Sequence, residues 1–235
     1  MTSSTVTLVT RDAIQRDAYA VIRVLTAALV ASPLGGWLEP DPRRRPKSAL
    51  DYIGPLVSQT IRAGIVRLAE QDGAVVGATL WSLHPCAGPV AANLDAVREV
   101  NHRRDRLDRF TEKRRPSQVR HQQLIYLGVH PERRGQGIGA HLLTSHHTVL
   151  NATGTPAYAV VADKGSRDML ARHGYTGTGR TEPLRGCARA RAMWRPPDLA
   201  AKAAPSTLAH ESRRDPASTT NRPTHKTARM GDTPC

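Results

Sequence analysis

The residues best suited to chemistry lie between Arg133 and Gly139, where two arginines and three glycines share seven positions. Glycine lets a backbone approach a ligand closely and take positive φ. Before this stretch, Leu124 to Val129 form an apolar run of strand length, and Pro131 blocks any extension of a sheet ladder. After it, Ile138, Leu142, Leu143, Val149 and Leu150 recur at helical spacing. Strand, glycine loop and helix in that order present unpaired N–H groups at a positive helix end, which suits phosphate. Arg134 adds charge beside it.

Groups able to move a proton are more scattered. Tyr126 has the opposite parity to Leu127 and reads as core. His84 closes an apolar run beside Pro85, and His130 sits in the turn before Pro131, facing solvent. Gln123 lies on the signature strand but is not basic. His141, His146 and His147 lack the i, i+4 spacing of a helical zinc pair and have no carboxylate nearby, so they read as surface histidines and no metal is expected.

These residues need a frame of ordinary elements. Thr5 to Val9 alternates as a first strand, and Ile14, Ala18, Ile22, Leu25 and Leu29 line one face of a helix that ends near Ser32 to Gly36. Trp37 to Pro46 reads as a loop, Ala49 to Ala63 as a second helix, and Gly64 as its stop. Ile65 to Ala69 and Ala74 to Trp81 flank Asp72-Gly73, a hairpin signal. Ala91 to Phe110 reads as an arginine-rich helix with a solvated face, and Thr111 to Arg120 as a charged linker. Ala157 to Ala162 is a buried strand, and Ser166 to His173 a short helix. Two last strands, Tyr175 to Arg180 and Cys187 to Trp194, turn at Glu182-Pro183.

Composition bounds the rest. The 235 residues suit one domain over 1–196 and a disordered tail over 197–235, where Pro, Ala, Ser, Thr and charge dominate without periodicity. Hydrophobic residues make up 39 % of the chain, enough for a core. The net charge of +14 is compatible with nucleic acid or an anionic cofactor, but an aromatic content of 4 % argues against a stacking platform for single strands. Cys86, Cys187 and Cys235 form no Cys-x-x-Cys pair and no even framework, and no apolar stretch is long enough for a signal or membrane helix. The expected setting is the reducing cytoplasm, with no membrane partner.

Val129, Pro131, Arg134, Gly137 and Gly139 together resemble the acetyl-CoA signature of the GNAT superfamily of N-acetyltransferases, whose core is Arg/Gln-x-x-Gly-x-Gly/Ala. The element order over roughly 5–196 is similar too. Leu25 to Pro33, the Asp41-Pro42 loop and an added segment between Trp81 and Gln122 most resemble the puromycin-acetyltransferase-like branch. The resemblance implies an α/β (α+β) GNAT fold, with a mixed sheet of about seven strands flanked by helices. It implies that the signature strand splays from its neighbour and that pantetheine fills the gap. Leu127, Gly128 and Val129 would then meet the pantetheine, and Arg134, Gly135, Gln136, Gly137, Ile138, Gly139 and Ala140 the pyrophosphate. A backbone N–H near Val129 would stabilise the oxyanion.

The implied activity is transfer of acetyl from acetyl-CoA, as donor and without metal, to a primary amine of a small molecule such as an amine antibiotic or metabolite. A protein or peptide acceptor is the alternative within that chemistry, and a nucleic-acid-binding role ranks below both. One position departs from the family. Aligned on Gly174-Tyr175, the usual Asn is Ser166, which the resemblance implies as a further cofactor-binding residue, and the tyrosine acid is Leu170. Leucine donates no proton, so another group, with Tyr126 and His84 as candidates, must handle protons, or the chain binds acyl-CoA without efficient transfer. General acid catalysis is worth roughly 10²–10⁴-fold.

Overall fold

The computed structural model describes residues 7–85, 102–184 and 188–199. In chain order these form β1 (Leu8–Asp12), α1 (Ala18–Val30), α2 (Pro33–Leu38), α3 (Arg45–Ala63), β2 (Ile65–Gln71), β3 (Ala74–His84), α4 (His102–Arg114), β4 (His121–Val129), α5 (Ile138–Thr153), β5 (Ala157–Val161), α6 (Lys164–Arg172), β6 (Thr176–Leu184) and β7 (Ala188–Arg195). The strands make one mixed seven-stranded sheet in the order β1-β2-β3-β4-β5-β7-β6. All neighbours are antiparallel except β4 and β5.

Helices cover both faces. On one, Val21, Leu25 and Leu29 of α1 and Ile53, Leu56 and Val57 of α3 pack with Leu68, Ala78 and Leu80. On the other, Leu143 and Leu150 of α5 and Leu170 of α6 pack with Trp81, Leu124 and Ala159, while Ile138 and Leu142 meet Ala69 and Val76. This two-sided burial explains why β3 is apolar almost throughout rather than alternating.

Several boundaries differ from the sequence reading, each for a local reason. β1 runs past Val9 to Asp12, because Arg11 forks between Asp17 (2.7 Å) and Glu70 (2.6 Å) and holds that segment against β2, while the expected strand residues Thr5 and Val6 lie outside the described residues. Ile14 does not join the α1 face: Asp17 accepts from the Ile14 N–H, forming a turn that leaves Ile14 exposed. The stretch from Trp37 is not all loop. Ser32 caps α2 by accepting from Gly35 N–H, and Arg45 and Pro46 open α3. Gly64 ends α3, and Asp72 and Gly73 both take positive φ in the hairpin turn.

The charged linker after Phe110 is helix as far as Arg114. Nor is its arginine face all solvated. Arg103 donates to the Trp37 carbonyl, and the Arg104 guanidinium lies 4.6 Å over the Tyr52 ring. Glu182 and Pro183 belong to β6, opposite Ala190 and Arg189, and do not form the turn. Proline is admitted there because β6 is the sheet edge. The expected helical residues 91–101, the three cysteines and the tail from 200 lie outside the described residues. Among the described residues, no helix is long and apolar enough to cross a membrane.

Candidate active site

The site begins where two strands part. β4 and β5 pair only at Gln122–Ala157, Gln123–Tyr158 and Leu124–Ala159. Beyond Leu124, β4 keeps β3 alone, while β5 runs on with β7. A bulge sits at the same point: Leu80 faces Tyr126 and Trp81 faces Leu124, so Ile125 is the extra residue. The bulge lets Ile125 and Tyr126 both pack on the α1–α3 side, while Leu124 and Leu127 pack on the α5–α6 side.

The open edge of β4 carries usable backbone. The His130 N–H donates to the Val76 carbonyl at 2.8 Å, towards β3. Strand N–H groups alternate sides, so those of Val129 and Leu127 turn away from β3, to the side β5 has vacated. Gly128 leans the other way, where a Cβ would lie 2.8 Å from Leu25 Cδ2 and 2.9 Å from Ala28 Cβ. Only glycine lets α1 approach this strand so closely.

The glycine loop closes one end of the gap. Residues 132–137 are exposed. Gly135 and Gly137 both have φ +77°, and a Cβ on either meets nothing within 4 Å. Gly137 is the N-cap of α5, so the first N–H groups of that helix, from Ile138 to Ala140, have no carbonyl ahead of them in the chain's own helix. Gly139 lies against Leu127, Val129 and Met169, which joins the loop to the gap. The side chain of Arg134 points elsewhere than expected. It donates to the carbonyls of Ala28 and Ala31 at 3.0 Å each, binding the loop to the C-terminus of α1. Its charge therefore complements a helix dipole as well as any anion nearby.

A cavity of about 240 Å³ continues from the gap. It is lined by Leu124 to Leu127, Ala159 to Asp163, Ser166, Met169 and Leu170. Tyr52 and Gln59 of α3, Ser82 and His84 of β3, and the segment from Arg104 to Arg115 line it too. Ser166 does not reach across it. Its Oγ donates to Asp163 Oδ2 at 2.6 Å, within the cap of α6. Leu170 is 1 % exposed and forms plain apolar wall at the position where the family resemblance calls for a tyrosine.

Both proton-handling candidates border this cavity. Tyr126 is half-buried, and its hydroxyl makes no hydrogen bond among the described residues; burial pushes its pKa up. His84 Nε2 and Ser82 Oγ are 2.9 Å apart, and the ring stacks on His121 at 5.5 Å. Burial, then the Arg115 guanidinium, lower its pKa to about 4, so the imidazole is neutral at pH 7. Gln123 is buried and accepts from Arg115 at 3.4 Å, while His130 is half-buried beside the loop.

Two histidines overturn their surface reading. His146 is fully buried, stacked 4.1 Å from Trp81, with Nε2 2.7 Å from Gln122 Oε1. His147 is buried beside Tyr175, Nε2 to hydroxyl 3.1 Å. The inward face of α5 runs through both positions, a placement the spacing of Leu142, Leu143 and Leu150 already implied. His141 is exposed. Among the described residues, no group of three His, Cys, Asp or Glu side chains is placed to hold a metal ion.

No protein-family model matches this sequence, and no curated protein does. Solved structures do match its fold. An acetyltransferase from Corynebacterium glutamicum, described as histone acetyltransferase HPA2 and related acetyltransferase, superposes with a TM-score of 0.59 at 19 % identity, over 82 % of this chain and 97 % of its own. The polyamine N-acetyltransferase of Drosophila melanogaster, which forms N-acetylagmatine, gives 0.53 at 16 %, over 80 % and 98 %. The ribosomal-protein-S18-alanine N-acetyltransferase of Escherichia coli gives 0.52 at 13 %, over 86 % and 99 %. The chain therefore has the GNAT fold, and these relatives share it while acting on different acceptors.

Proposed function

We propose that this chain, through its domain at 1–196, is a cytoplasmic N-acetyltransferase that moves acetyl from acetyl-CoA to a primary amine of a small molecule. The observation that carries the reading is the parting of β4 from β5 beside an exposed positive-φ glycine loop, with a cavity lined by the parted strands and by α3, β3 and α4. The pantetheine would lie along β4 as a missing strand, receiving the N–H groups of Leu127 and Val129. The pyrophosphate would take those from Gly135 to Ala140.

The amine would enter from the α3, β3 and α4 end. Attack on the thioester carbonyl forms the C–N bond and a tetrahedral oxyanion, held by a β4 N–H near the bulge at Ile125 rather than near Val129, whose N–H the pantetheine already takes. Collapse breaks the C–S bond. His84, neutral and inside the cavity, takes the proton of the amine. Tyr126, rather than the leucine at 170, gives one to the departing thiolate, its phenol being protonated at neutral pH. A small-molecule acceptor suits a cavity of about 240 Å³.

Mass spectrometry of an amine panel incubated with the chain and acetyl-CoA tests the reading. N-acetyl products support it; acetyl-CoA binding without product would assign the chain to the second reading, an acyl-CoA binder, which the apolar Leu170 wall favours. Tyr126→Phe is expected to lower kcat by roughly 10²-fold with little change in acetyl-CoA affinity, and His84→Asn by a similar factor. Pre-steady-state release of CoA thiol checks both, and wild-type rates in either variant would remove that residue from the proton route.

A further inference from the structure

The face of α4 turned to the cavity carries two guanidiniums that are not equivalent. Arg104 is engaged: it stacks on Tyr52, and its Nε lies 3.8 Å from Asp108. Arg115, just past the end of α4, is not. Among the described residues its side chain makes no ion pair, and its one hydrogen bond is long, 3.4 Å to the neutral amide of Gln123. Glu112, one turn earlier and also on the cavity wall, makes no ion pair with it.

The surroundings make that arrangement costly. Arg115 is half-buried, and the same wall includes Leu124, Ile125 and Ala159. Its charge bears on His84, His121 and Tyr158. None of the three is an anion at neutral pH. A half-buried guanidinium that makes no ion pair among the described residues gives up hydration that a bound carboxylate would return. Its planar fork fits a carboxylate with two parallel hydrogen bonds.

We propose that the acceptor is a small amine that also bears a carboxylate, and that Arg115 receives that carboxylate. The inference rests on the transferase reading for the word acceptor, though not for the binding of the carboxylate. Distance along β4 sets the size. Gln123, the side-chain partner of Arg115, is two residues from Ile125 at the bulge, roughly 7 Å of strand. A carboxylate at Arg115 and an amine at the thioester then lie a few bonds apart, as in an amino acid. A phosphate dianion would ask for a second free cation, and Arg104 is already paired. Docking a carboxylate also offsets the influence of Arg115 on His84, so the substrate that fills the site makes its own base stronger.

The test compares matched pairs, ornithine with putrescine, tyrosine with tyramine and histidine with histamine, on the full chain with acetyl-CoA. Thermal shift reads binding and CoA thiol release reads turnover. At least one acid is expected to exceed its decarboxylated partner about 10-fold in kcat/KM. Arg115→Gln should raise KM for that acid about 10- to 100-fold and collapse the pair's ratio towards one, with Arg115→Lys in between. An acetyl-CoA thermal shift like that of the wild type certifies that the variants fold. Preference for the decarboxylated members, no shift with any acid, or an unchanged ratio in Arg115→Gln overturns the inference. Arg115-dependent binding of acids without thiol release upholds it while removing the transferase reading. Acetylated amines without any acid preference do the reverse.

Discussion

Replacing Gly137 with valine is expected to weaken acetyl-CoA binding by at least about 100-fold. Gly137 holds φ +77° and ψ 0° as the N-cap of α5. A β-branched residue in that left-handed region is strained by roughly 1–2 kcal/mol. The residue can relieve that strain only by turning the loop, and turning it redirects the N–H groups of Ile138 to Ala140. Without ligand, the new Cβ meets nothing within 4 Å, so the free protein has room for the side chain. The loss should therefore fall on binding far more than on folding. Isothermal titration with acetyl-CoA, alongside thermal unfolding, separates the two. A dissociation constant within threefold of the wild type would show that the loop does not hold the pyrophosphate.

The second large effect is on stability in acid. Burial, with Arg67 as the next cause, lowers the pKa of His146 to about 4; burial, then Arg195, lowers that of His147 to about 3. Both fall below the ordinary imidazole value near 6.5. The unfolded chain then binds more protons than the folded one between about pH 6.5 and pH 4, so stability rises with pH through that window and is lost as pH falls. At pH 5 each ring costs on the order of 2 kcal/mol relative to pH 7. Together that lowers the melting temperature by roughly 8–16 °C for a domain of this size. Asp17, held down to about 2 by Arg11, adds its loss only below about pH 4. Thermal melts from pH 7.5 to 4.5 read the slope, and His146→Gln together with His147→Gln should reduce it between pH 6.5 and 5, leaving the share of His84, His121 and His173, whose pKa values burial also lowers. A slope confined to pH below 4 would place the acid sensitivity in the carboxylates instead.

The glycine loop and the sheet were legible because each has a short-range cause. A strand-length apolar run, a proline and alternating glycines fix a βα turn without help from distant residues, and Asp72-Gly73 fixed the hairpin in the same way. What was not legible is long-range. Nothing local says that Arg134 reaches back more than a hundred residues to Ala28 and Ala31, or that it spends its hydrogen bonds on α1. Nothing local says that β5 leaves β4 after a single short ladder. His146 and His147 were misjudged as polar surface because their residue type outweighed the helical face they share with Leu142, Leu143 and Leu150. The arginines of α4 were misjudged for the same reason, since long basic side chains bury their stems against aromatic rings while keeping the charge engaged.

The parting of β4 and β5 has a thermodynamic consequence. From Ile125 to Val129 the sheet has a seam that no strand among the described residues closes, in the middle of the sheet rather than at an edge. A ligand that zips the seam adds ladder hydrogen bonds and apolar contacts that the unfolded chain cannot gain, so its occupancy becomes part of the folding equilibrium. If acetyl-CoA fills the seam as proposed, the durability of this fold is shared with a metabolite: the chain supplies seven strands, and the supply of an eighth, non-peptide one sets how long the assembly lasts against heat or proteolysis.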